Sequence, residues 1–74
     1  MPESMTRIRE RAKSLNYPTS QITKNPNGSG YYLAPRGMRT KAGKTTYAKN
    51  RSEGKSQASS ARIAWKSEKR ARKK

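Results

Sequence analysis

The chain has no cysteine and no histidine, and only four of its 74 residues are acidic. The first two absences remove disulfide staples, the usual zinc ligand sets, thiol nucleophiles and imidazole acid–base chemistry together. The carboxylates, Glu3, Glu10, Glu53 and Glu68, are scattered along the chain and form no local acid–base pair. Neither a Walker A loop nor a dinucleotide fingerprint is present. The sequence therefore points away from an enzyme, and no metal or cofactor is expected.

Large apolar residues are also scarce. Valine and phenylalanine are missing, and leucine and isoleucine are limited to Ile8, Leu15, Ile22, Leu33 and Ile63. So little apolar surface combined with high net charge is the composition of chains that order on a partner, and partial disorder in the free state is an expectation. The longest uncharged apolar run, Tyr31-Tyr32-Leu33-Ala34, falls far short of the roughly 20 residues a membrane span needs. The Arg-rich N-terminal stretch has no apolar segment of the kind a secretory signal carries, so the expected location is intracellular: cytoplasm or nucleoid, or the nucleus in a eukaryote.

Positive charge is what the chain has in abundance. Nineteen lysines and arginines give a formal net charge of +15, and their distribution is uneven. Up to Pro35 there are five cations against Glu3 and Glu10; from Arg36 onward there are fourteen against Glu53 and Glu68. Such a field attracts polyanions, and the second half carries most of it.

The pattern of residues predicts a mainly α (α+β) fold in one small domain. Met5, Ile8, Ala12 and Leu15 recur at helical spacing, with Ser4 as N-cap and Asn16 followed by Pro18 as the stop, giving an amphipathic helix over 4–15. Turn formers at 25–30, with Asn27-Gly28 tolerating positive φ, separate Ser20–Lys24 from Tyr31–Ala34 and predict a short β-hairpin. Residues 1–35 would thus be a scaffold of helix plus hairpin. Ala34-Pro-Arg-Gly37 is a linker. A basic helix-loop-helix follows over 36–68, built from Thr40–Ser52, a turn at Glu53-Gly-Lys55, and a second helix capped by Ser56 and running to about Arg72, with 69–74 a basic tail that frays. Ala58, Ala61, Ala64 and Trp65 would form the inward face of the second helix, and Ile8, Leu15, Tyr47, Ala61 and Trp65 the structural core. Gly43 and the Thr45-Thr46 pair weaken the first of these two helices.

The candidate phosphate-binding residues are Arg36, Arg39, Lys41, Lys44, Lys49, Arg51, Lys55, Arg62, Lys66, Lys69, Arg70, Arg72, Lys73 and Lys74. Guanidinium and ammonium groups neutralise backbone phosphates and release counterions, which yields affinity with little dependence on base sequence. Tyr31 and Tyr32, neighbours on a strand, point to opposite faces, so one should be buried and the other open to stack on a base. Basic residues surround the last helix almost completely, which favours nonspecific contact over base reading. The expected activity is binding to nucleic acid, duplex DNA first, through phosphates. Binding to RNA, as a ribosome-associated basic protein, is the close alternative. A small cationic inhibitor or adaptor on an acidic protein surface, of a size that phages and mobile elements encode, is the other.

Overall fold

The computed structural model describes residues 3–72. Its first helix, α1 (Met5–Ser14), opens at Ser4, whose hydroxyl accepts from the Arg7 amide at 3.4 Å. It closes on Asn16, which takes a left-handed conformation at φ 62° while the amides of Asn16 and Tyr17 bond back to Lys13 and Ala12. That pair of bonds is a Schellman closure, in which asparagine serves because its short polar side chain tolerates positive φ. Ile8 and Ala12 are the residues of α1 that are buried.

After a single 3₁₀ turn at Thr19–Gln21, strands β1 (Ile22–Lys24) and β2 (Tyr31–Leu33) pair antiparallel, with Ile22 opposite Leu33 and Lys24 opposite Tyr31. The connecting loop is organised by Asn25. Its Oδ1 accepts from the Asn27 amide at 3.0 Å, and its Nδ2 donates to the Ser29 carbonyl at 3.2 Å. The residue that adopts positive φ in this loop is Gly30, at 96°, rather than the expected Asn27-Gly28 pair. Two strands alone are marginal in water. Here the outer edge of β2 is covered by Glu3, which exchanges two backbone hydrogen bonds with Tyr31.

A tight turn follows, closed by the Met38 amide on the Pro35 carbonyl at 3.1 Å, with Gly37 at φ 92°. Helix α2 (Lys41–Ser52) then begins at Thr40, whose hydroxyl accepts from the Gly43 amide at 3.1 Å. It ends in a second Schellman closure through Gly54, also at φ 92°. Helix α3 (Gln57–Arg72) starts at Ser56, whose hydroxyl accepts from the Ser59 amide. It includes residues 69–72, the first part of the expected tail; Lys73 and Lys74 lie outside the described residues.

The most extensive packing in the fold is between α2 and α3. Their seam is lined with small residues, Gly43 and Ala48 on one side and Ser60 and Ala64 on the other, so two backbones approach with little side-chain volume between them. The core cluster is Tyr32, Ala34, Met38, Tyr47, Ala48 and Ala64, with Ala61 packed against it. It draws on both sides of Pro35, so the interior is not the work of the N-terminal residues alone. The radius of gyration, 11.4 Å, equals the roughly 11 Å of a folded globule of this length.

Two residues expected in the core are outside it. Trp65 is 37% exposed and Leu15 51% exposed. The inward stripe of α3 is Ser60, Ala64 and Glu68, at intervals of four, and Trp65 follows Ala64 by one residue, about a quarter turn off that stripe. Where α3 faces α2 the buried positions are small except for Glu68, which fills the space opposite Gly43, and the indole lies off this seam. Leu15 is the C-cap residue of α1, one position past its last helical residue, and lines a surface cavity instead of the core.

Candidate nucleic-acid interface

The expected cations divide into three groups. Arg36, Arg39, Lys41, Lys49, Arg62, Lys66, Lys69 and Arg70 are exposed, and their side chains make no hydrogen bond or ion pair among the described residues. Lys44, Arg51, Lys55 and Arg72 are engaged within the fold. Lys44 Nζ donates to the Ser20 carbonyl at 2.8 Å, tying α2 to the turn before β1. Arg51 donates to the Lys55 carbonyl at 3.0 Å, and Lys55 Nζ to Asn50 Oδ1 at 2.6 Å. The sequence does not separate these four from the rest, because each contact depends on where the chain returns. Lys73 and Lys74 lie outside the described residues.

On α3, Arg62 and Lys66 stand two residues either side of the buried Ala64 and therefore on the opposite side of the helix, with Lys69 and Arg70 on the same outward surface. Arg36 and Arg39 belong to a turn that is docked onto the C-terminal half of α3 from its inward side, where Glu68 lies. The dock is Glu68, a side chain read from sequence only as part of the charge balance and in fact 1% exposed. Its carboxylate accepts from the backbone amides of Arg39 at 2.9 Å and Thr40 at 2.8 Å, and from the Thr40 hydroxyl. Arg72 Nε donates to the same carboxylate at 2.7 Å, and Arg72 Nη2 donates to the Gly37 carbonyl at 2.7 Å. Arg72 is thus a strut between α3 and the turn rather than an open cation.

Burial by itself would push the Glu68 carboxyl up. The hydrogen bonds from Thr40, from the Arg39 and Thr40 amides and from Arg72 outweigh it and lower the group from 4.5 to about 2. The negative charge also sits at the N-terminus of α2, where the helix dipole favours it. Gly43, which weakened the sequence reading of α2, is required here: a Cβ at that position would lie 2.5 Å from Glu68 Oε1 and 2.9 Å from Glu68 Cβ.

The aromatic residues are redistributed as well. Trp65 rests over the docked turn, its outer ring carbon 3.7 Å from where a side chain on Gly37 would begin. It shares a side of α3 with Arg62 and Lys69, three residues before it and four after. Tyr32, expected as a stacking candidate, is buried at 6% and withdrawn into the core; Tyr31, half-buried on the other face, lies in the strand that Glu3 bridges. Tyr17, absent from the sequence-based candidates, lines a cavity with Tyr32 and Tyr47; its place beside Pro18 at the end of α1 carries no pattern that marks it.

Among the described residues there is no group of three acidic, histidine or cysteine side chains able to hold a metal ion. No helix of the described residues is long and apolar enough to cross a membrane. Comparison with family models, with curated proteins and with solved structures finds no match for the chain.

Proposed function

We propose that this protein binds nucleic acid, duplex DNA in the first instance, through phosphate contacts with little sequence specificity. The observation that supports this is the docking of the Arg36–Arg39 turn onto α3 by Glu68 and Arg72. Arg36 and Arg39 on that turn, and Arg62, Lys66, Lys69 and Arg70 on α3, are six exposed cations that are unengaged among the described residues, on two adjoining elements. Long flexible side chains of one sign, without acidic residues to orient them, suit a regular array of phosphates better than a single base edge. The role is that of a binding protein, with no catalytic step.

Salt dependence tests the reading. With six phosphate contacts, the observed affinity for duplex DNA falls with a log-log slope of about −5. Fluorescence anisotropy with matched DNA and RNA duplexes, across a range of salt, gives that slope and ranks the two. Binding that is insensitive to salt, or absent at about 50 mM salt, refutes the proposal. A complex that survives nuclease digestion would assign the basic surface to an acidic protein instead.

A further inference from the structure

A cavity of about 560 Å³ opens between α1, β2, the C-terminal half of α2 and the start of α3. Its floor is the apolar side of Ile8, Ala34 and the rings of Tyr32 and Tyr47, all buried. Leu15, exposed, and Tyr17, half-buried, also line it, so the leucine that leaves the core is part of the cavity wall. Arg11, Arg36 and Arg51 line the same cavity, so its wall is part apolar and part cationic. Glu3 is the acid in the lining, and it is already bonded to Arg11 at 2.6 Å. Arg36 and Arg51 therefore face the cavity without a counter-charge.

A guest that fits must bring a flat apolar body for the aromatic floor and an anionic group for the arginines. Hydrocarbon alone would leave the guanidinium groups uncompensated, and a small inorganic anion would leave the apolar walls wet. Guanidinium forks match phosphate oxygens, tyrosine rings match the faces of bases, and the volume lies in the range of small-molecule sites. We propose that the cavity takes a single unstacked nucleotide, its base against Tyr17 and Leu15 over the buried tyrosine floor and its phosphate on Arg36 and Arg51. Arg36 belongs to both the cavity lining and the docked turn, so a strand held at that turn can deliver a terminal or extruded nucleotide. For a nucleotide from such a strand the inference rests on the nucleic-acid reading; for a free nucleotide it stands alone.

Two measurements test it. In the first, adenosine monophosphate is titrated into the protein and the amide resonances of Tyr17, Arg36 and Ala58 are followed by NMR, with inorganic phosphate as a parallel probe. Saturable shifts with the nucleotide, absent with phosphate at equal concentration and lost in Ala58→Trp, are expected; Ala58 is exposed at the cavity wall, so the indole fills the space without entering the core. In the second, a duplex with a one-nucleotide overhang is compared with the blunt duplex. Stacking of one base predicts about tenfold tighter binding of the overhang, removed by Ala58→Trp with blunt-duplex affinity unchanged. Nucleotide shifts with the overhang preference identify a strand nucleotide; shifts without it identify a free nucleotide. Absence of nucleotide shifts, or identical shifts with phosphate alone, overturns the cavity proposal whatever the duplex does. Loss of blunt-duplex binding with the nucleotide shifts intact overturns the surface proposal and leaves the cavity standing.

Discussion

Replacing Glu68 tests the reasoning about this fold most directly. Its carboxylate is nearly fully buried and accepts from two backbone amides, the Thr40 hydroxyl and Arg72. Glu68→Ala leaves the Arg39 and Thr40 amides facing a void, at about 1–3 kcal/mol each, and removes the partner of Arg72. A total of about 3–5 kcal/mol is large against the roughly 4–11 kcal/mol available to a domain of 74 residues. The same hydrogen bonds also set a pH dependence. The folded-state pKa is lowered from 4.5 to about 2, so the carboxylate stabilises the fold fully above pH 4.5, and that contribution is lost as the pH falls through about 2. The difference is worth about 3 kcal/mol, the same order as the hydrogen-bond count. Thermal melts followed by far-UV circular dichroism, between pH about 7 and about 2, measure it. In a domain of this size 3 kcal/mol corresponds to a fall in Tm of about 12–24 °C on acidification. Glu68→Gln should begin at lower Tm, because its amide NH₂ meets an amide donor, and should lose that component of the acid response. If wild type and Glu68→Gln lose the same number of degrees over this pH range, the buried carboxylate does not hold the turn to α3.

Gly43→Ala, which on an exposed helix position would stabilise by about 1 kcal/mol, should instead destabilise by about 2 kcal/mol or more through collision with Glu68; an unchanged Tm refutes the close approach. Lys66→Gln should reduce the salt slope on duplex DNA by about 1 and leave Tm within about 0.5 kcal/mol of wild type, whereas Lys44→Gln should lower Tm and leave the slope unchanged. Trp65→Phe should cost less than about 1.5 kcal/mol in chemical denaturation, while Tyr47→Ala costs about 3–5 kcal/mol; the reverse order would return the indole to the core. The emission of Trp65, the single tryptophan, should change when duplex binds, and unaltered emission at saturation would remove it from the interface.

The element order and the helix ends were legible because they are written in local chemistry. Ser4, Thr40 and Ser56 each accept from an amide three residues on, and Asn16 and Gly54 each close a helix in a conformation that a side chain with a branched Cβ resists. The Asn25–Gly30 loop was legible for the same reason, although the positive φ falls on Gly30. What was not legible depends on partners distant in sequence. A glutamate among so many cations reads as a surface charge until Arg39 and Thr40, nearly thirty residues earlier, are brought to it. Trp65 reads as core because it is the largest apolar side chain, yet it lies off the α2–α3 seam, where the buried positions of α3 are small except for Glu68. Of the expected phosphate contacts, Lys44 and Arg72 became internal ties only where the Ser20 and Gly37 carbonyls met them.

Occupation of the N-terminus of α2 by Glu68 has a dynamic consequence for the proposed function. A helix start beside a basic surface is ordinarily a fixed cradle for one phosphate, and here it is already filled by the chain's own carboxylate. The contacts proposed for a bound duplex, from Arg36, Arg39, Arg62, Lys66, Lys69 and Arg70, are then tips of long side chains, free to let go of one phosphate and take the next while the backbone stays in place. The complex would have a shallow energy profile along the duplex, with rapid one-dimensional diffusion and brief residence at any one position.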